Sequence, residues 1–228
     1  MPEWWTYRLS DFLMFAPRTY YRLFELYNAE IWPAQIATIV AGLGIIWLIQ
    51  RGTHGRVVTA MLAAAWIFVA SAYHWERYAT INIAAPYYAV GFAVQAMLLA
   101  WTGVRRDSIR FDLRAAPIGY FGFAILIAGV VLYPLLALLA GRPWGQAEVF
   151  GIAPDPTAIA TIGALLAATG RVPWLLLALP ILWCAISGAT LWTMDAPDAA
   201  LPALVLVVAM GLAIWKSRRH AECGNLQA

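Results

Sequence analysis

The chain has 228 residues, 63% of them apolar and only 12% charged, with a net charge of +3. Soluble domains carry about 45–50% apolar and about 25% charged residues, so this composition excludes a cytosolic globular enzyme, a disordered chain and a disulfide scaffold. It points to an all-α integral membrane protein, because helices close their own backbone hydrogen bonds in lipid. No basic patch of the size nucleic acid needs is present. Cys184 and Cys223 fall in an apolar span and a polar tail, so no disulfide is expected.

Residues 1–29 read as an interfacial amphipathic segment. Arg8, Asp11, Arg18 and Arg22 interrupt it, unlike the basic start and continuous apolar run of a signal peptide. Aromatic residues are dense there, at Trp4, Trp5, Tyr7, Phe12 and Phe15. Tyr20, Phe24, Tyr27 and Ile31 then recur on one face of a helix, predicted to lie with its rings at headgroup level.

Residues 30–215 read as a seven-helix transmembrane domain, since a span needs about 20 mostly apolar residues. The predicted spans are Glu30–Gln50, Val57–Trp75, Thr80–Val104, Ala116–Ala140, Pro156–Gly170, Val172–Met194 and Leu201–Trp215. Residues 216–228 form a tail. The connections after spans one, three and five, with the tail, hold ten of the fifteen basic residues and three of the twelve acids. Basic residues favour the cytoplasmic side, so the N-terminus is expected outside and the C-terminus inside. Pro33, Pro86, Pro134 and Pro180 are expected within spans, and Gly42, Gly44, Gly119, Gly122 and Gly188 at close helix contacts.

Polar residues gather near the outer ends of the spans. Gln35, Tyr73, His74, Glu76, Asn82, Asp155 and Thr157 are the candidate lining of an outward-facing polar pocket. The same residues also suit an ordinary wet interface layer. No metal is expected, because one histidine is too few for a zinc site. No cofactor is predicted either, although His74 offers a single axial ligand for a haem or chlorin. Lys216 stands at the cytoplasmic end of the last span, not at mid-helix where a retinal Schiff base would need it. No hydrolase motif and no mid-membrane charge is visible, so catalytic residues are not assigned and an enzyme is not the leading reading.

Three stretches, Tyr20 to Gln35, Tyr73 to Pro86 and Phe150 to Leu166, together resemble an uncharacterised family of bacterial multi-pass inner-membrane proteins, a domain of unknown function. The resemblance implies Tyr27, Asn28, Trp32, Pro33, Gln35, His74, Asn82, Pro156 and Thr157 as pattern positions. In that family a cysteine often precedes the Pro-Thr pair. Asp155 stands there in this chain, which argues against a thiol-based role. The family supplies no activity.

Three functions are compatible with these features. The first is binding or passing a small molecule through the outward pocket. The second is an accessory subunit of a larger respiratory or photosynthetic membrane complex, or a homo-oligomer. The third is a lipid-modifying enzyme working through His74, Glu76 and Asp155. The bilayer is the one partner all three share, in a bacterial inner membrane.

Overall fold

The computed structural model describes residues 15–114 and 117–225. The aromatic cluster expected at residues 4–12 lies outside the described residues. Eight helices are present among those described: α1 Pro17–Glu30, α2 Ala34–Arg51, α3 Gly55–Thr80, α4 Ala85–Arg105, α5 Pro117–Leu139, α6 Pro154–Ala167, α7 Trp174–Thr193 and α8 Ala200–Asn225. Six of them (α2, α3, α4, α5, α7 and α8) are long and apolar enough to cross a membrane. The chain is a multi-pass membrane helix bundle.

α6 differs from the rest. Its 14 residues rise about 21 Å, short of a hydrocarbon core of about 30 Å, and every one of them is buried. It is surrounded by α3, α5, α7 and α8. A helix apolar or small on all sides must be enclosed by other helices, and α6 fits because glycines remove side chains where backbones meet. A Cβ on Gly163 would lie 2.3 Å from the Leu126 nitrogen. One on Gly122 would lie 2.5 Å from the Ala167 nitrogen, and one on Gly129 2.7 Å from the Ala160 nitrogen. Gly122 and Gly129 stand two turns apart on α5, so they form one smooth stripe against α6. By contrast, α2 turns Ile36, Val40, Leu43 and Trp47 outward at helical spacing, as a lipid-facing helix should.

The connections define two ends. At one, the Thr169 N–H donates to the Arg110 carbonyl (2.8 Å), Phe111 pairs with Ala168, and Lys216 donates to the Leu166 carbonyl. At the other, Glu30 pairs with Arg77, Asn28 donates to the carbonyls of Gly145 and Ala147, and Arg142 pairs with Asp198. α6 runs from the second end to the first.

Two prolines expected inside spans stand at helix starts instead. Pro33, after a cis peptide bond, precedes α2, and Pro86 occupies the first turn of α4. Neither position requires the missing N–H. Pro180 is inside α7, and Pro134 sits in a tightened turn within α5. The Tyr20–Phe24–Tyr27 stripe of α1 is buried against protein: Phe24 stacks on Tyr73 at 5.0 Å and Tyr20 meets Tyr78 edge-on. Those rings pack against Tyr73 and Tyr78 of α3. Ile31, the fourth stripe residue, closes the helix through its N–H to Tyr27.

Candidate functional site

The start of α6 carries a buried carboxylate. Pro154 and Pro156 supply no N–H to a turn whose donors have no helical partners, and Asp155 between them sits where the helix dipole favours negative charge. Its side chain accepts three hydrogen bonds. The Trp183 indole N–H reaches Oδ1 at 2.7 Å, and the hydroxyls of Tyr133 and Ser187 reach Oδ2 at 2.9 and 2.6 Å. Trp183 and Ser187 are four residues apart on α7, hence on one face. Tyr133 is delivered by a local π-helical stretch, Ala128–Leu132, which shifts the register of α5.

Thr157 closes the turn before α6. Its hydroxyl accepts from the Gly151 N–H (2.8 Å) and donates to the Ala153 carbonyl (2.7 Å). Gly151 has φ of 79°, so the left-handed conformation here suits glycine. One helical turn on, the Trp66 indole donates to Thr161.

The connection from α5 to α6 brings in charges absent from the predicted site. Arg142 donates to Asp198 at 2.5 Å, lies over the Tyr21 ring at 4.0 Å and faces Glu148 at 3.9 Å. Glu148 is 3% exposed, and among the described residues its Oε2 has no hydrogen-bond partner. Burial pushes its carboxyl well above the ordinary carboxylate range, and the charges of Asp155 and Asp198 push it the same way. Only Arg142 opposes them. Glu148 and Asp198 thus share one guanidinium in a buried setting. Glu148 was missed because a single acid among Ala147, Val149 and Phe150 reads as part of a loop. The available signal was an acid inside an apolar run in a short connection.

His74 lies in another π-helical stretch, Val69–Trp75, which turns both Tyr73 and His74 inward. The imidazole is fully buried among Phe92 (4.4 Å), Trp183 (4.9 Å), Tyr73 (5.2 Å) and Tyr88 (5.9 Å). Among the described residues, neither ring nitrogen has a hydrogen-bond partner, nor has the Tyr73 hydroxyl.

The predicted residues therefore meet only in part. His74 and Asp155 both touch Trp183, and Tyr73 lies against His74. Gln35 turns to the Asn28 carbonyl (2.7 Å), and Asn82 accepts from the Ala84 N–H ahead of α4. Glu76 is exposed, so His74, Glu76 and Asp155 form no triad. Among the described residues, no group of three or more His, Cys, Asp or Glu side chains is placed to hold a metal ion. A small apolar groove of about 100 Å³ between α4 and α7 runs along Tyr88, Phe92 and Trp183. Cavities of about 650 and 780 Å³ open at the opposite end, beside Arg51, Arg114 and Arg110.

The sequence that builds this bundle matches a known family. A family model described as "Family of unknown function (DUF6064)" matches residues 18–223. The chain belongs to DUF6064. The match takes in every helix of the bundle except the first residue of α1 and the end of α8, so Asp155, Glu148 and His74 of this DUF6064 chain all lie within it. No curated protein and no solved structure matches the chain.

Proposed function

We propose that this protein crosses a bacterial inner membrane seven times, with its N-terminus outside, and that its outer half binds and passes a small cation without catalysis. The seventh crossing is α6, entered through the buried segment 147–153. The two-ended arrangement of the connections supports it, and the bias of basic residues supports the orientation. Cysteines at positions 79 and 146 should then be labelled from outside. Cysteines at 53 and in the tail should be labelled only after the membrane is opened. Labelling of position 146 from the cytoplasm would overturn this topology.

One observation carries the functional reading: Glu148 and Asp198 are buried against the one guanidinium of Arg142, and among the described residues one oxygen of Glu148 has no partner. A buried pair of charges stabilises a fold poorly compared with apolar packing, and an excess of carboxylates calls for a proton or another small cation. A proton on Glu148 is the resting occupant, and an ammonium-type cation is the class that would replace it. Infrared difference spectra of the purified protein test this. A protonated-carboxyl C=O band is expected at neutral pH, absent in Glu148→Gln and removed by methylammonium. A band that methylammonium leaves unchanged, or no band at all, would overturn the reading.

A further inference from the structure

The end of the molecule opposite Glu148 holds a cavity of about 280 Å³ between the start of α5, the end of α6 and the last turns of α8. Ile118 and Ala167 give it apolar walls. Lys216, Arg219 and His220 line it from α8 at spacings of three and four residues, so they share one helix face. Lys216 is only 5% exposed. Its ammonium donates to the Leu166 and Ala168 carbonyls, capping the last turn of α6. Two of its three N–H donors are thereby engaged. Arg219 and His220 are exposed at the mouth, with Arg219 over the Trp215 ring at 4.7 Å. Asp112 is the one carboxylate in the lining, and its Oδ1 accepts from the Arg114 N–H in its own turn.

We propose that this cavity binds the headgroup of an anionic phospholipid from the adjacent leaflet, the phosphate meeting Lys216 and Arg219 and the chain start lying along Ile118 and Ala167. Capping alone would explain Lys216 but not Arg219 and His220 on the same face, and Arg219 repels Lys216 when no anion is near. The flanking surfaces are lipid-facing: Tyr120 and Phe121 on α5 and Ile214 on α8 are exposed large hydrophobic residues. A basic pocket between membrane helices matches the chemistry of acidic lipid headgroups. The orientation proposed above enters only in naming the leaflet as cytoplasmic.

The test is native mass spectrometry of the full chain in mild detergent, titrated separately with dioleoylphosphatidylglycerol, dioleoylphosphatidylcholine and oleate. Phosphatidylglycerol should bind about tenfold more tightly than phosphatidylcholine, the scale of one charge-assisted hydrogen bond. Lys216→Met should erase that preference, and the double variant Arg219→Gln/His220→Gln should reduce it about threefold or more. Arg56→Gln/Arg110→Gln, on the same end but outside the cavity, should leave it intact. If Lys216→Met does not fold, the Arg219/His220 variant decides, since both side chains are exposed. Equal binding of the two phospholipids would overturn the proposal. So would a preference that survives the cavity variants, one lost in the Arg56/Arg110 control, or tighter binding of oleate than of phosphatidylglycerol. None of these readings depends on Glu148 or on which way the chain is inserted.

Discussion

The two ends of α6 solve the same problem with opposite charges. At the start, Asp155 meets the positive end of the helix and takes three side-chain donors from α5 and α7. At the finish, Lys216 meets the negative end and gives its protons to carbonyls that have no helical partner. The difference lies in the surroundings. Asp155 has a partner on each oxygen, whereas Glu148 has an oxygen with none among the described residues. Lys216 retains an unused donor beside an open cavity. Every residue of this short helix is buried, so side chains of other helices satisfy its ends. Where the satisfaction is incomplete, a site remains.

The comparison breaks most readily at Asp155. Asp155→Ala leaves three buried donors unpaired and should cost about 3–5 kcal/mol of stability, read as tryptophan-monitored unfolding in micelles. Wild-type stability in that variant would mean that the carboxylate does not organise the start of α6. Gly163→Val, which drives a side chain into the α5 backbone, should cost about 2–3 kcal/mol. Gly91→Val, where a Cβ would meet open space, should stay within about 0.5 kcal/mol. At the other end, Lys216→Met frees two carbonyls, and about 1–3 kcal/mol should be lost, less than at Asp155.

Smaller effects sharpen the contrast between a saturated and an unsaturated carboxyl. Glu148 titrates above its ordinary 4.5 in the folded protein. Between that value and its raised one, the folded state holds more protons than the unfolded state, so stability should fall as pH rises through this window. Melting temperatures of the wild type should decline from acidic to neutral pH, and Glu148→Gln should flatten the slope. An unchanged slope would remove Glu148 as the titrating group. The smallest effect is expected at His74. Its ring sits among aromatic residues and has no hydrogen-bond partner among the described residues, so His74→Phe should be nearly neutral or slightly stabilising. A large loss would reveal a polar partner for the imidazole.

Composition and periodicity determined by themselves that this is an all-α membrane bundle, because its apolar residues, 63% of the chain, fall in continuous runs of about 20, where a barrel would need short alternating strands. Hydropathy placed the long spans to within about five residues, except that α8 continues past the predicted end at Trp215 to Asn225, and it picked out Asp155, Thr157 and His74 as unusual, since polar groups stand out against apolar runs. Tertiary structure alone decided what they touch. No local pattern announces that α5 shifts register to deliver Tyr133, or that a connection folds inward to bury Glu148 beside Arg142. The enclosure of Lys216, which reads in sequence as an ordinary basic flank, likewise depends on the end of α6 arriving from 48 residues away. Burial of a helix is legible from its own residues, but the partners of a buried charge come from other helices, and packing determines which of them arrive.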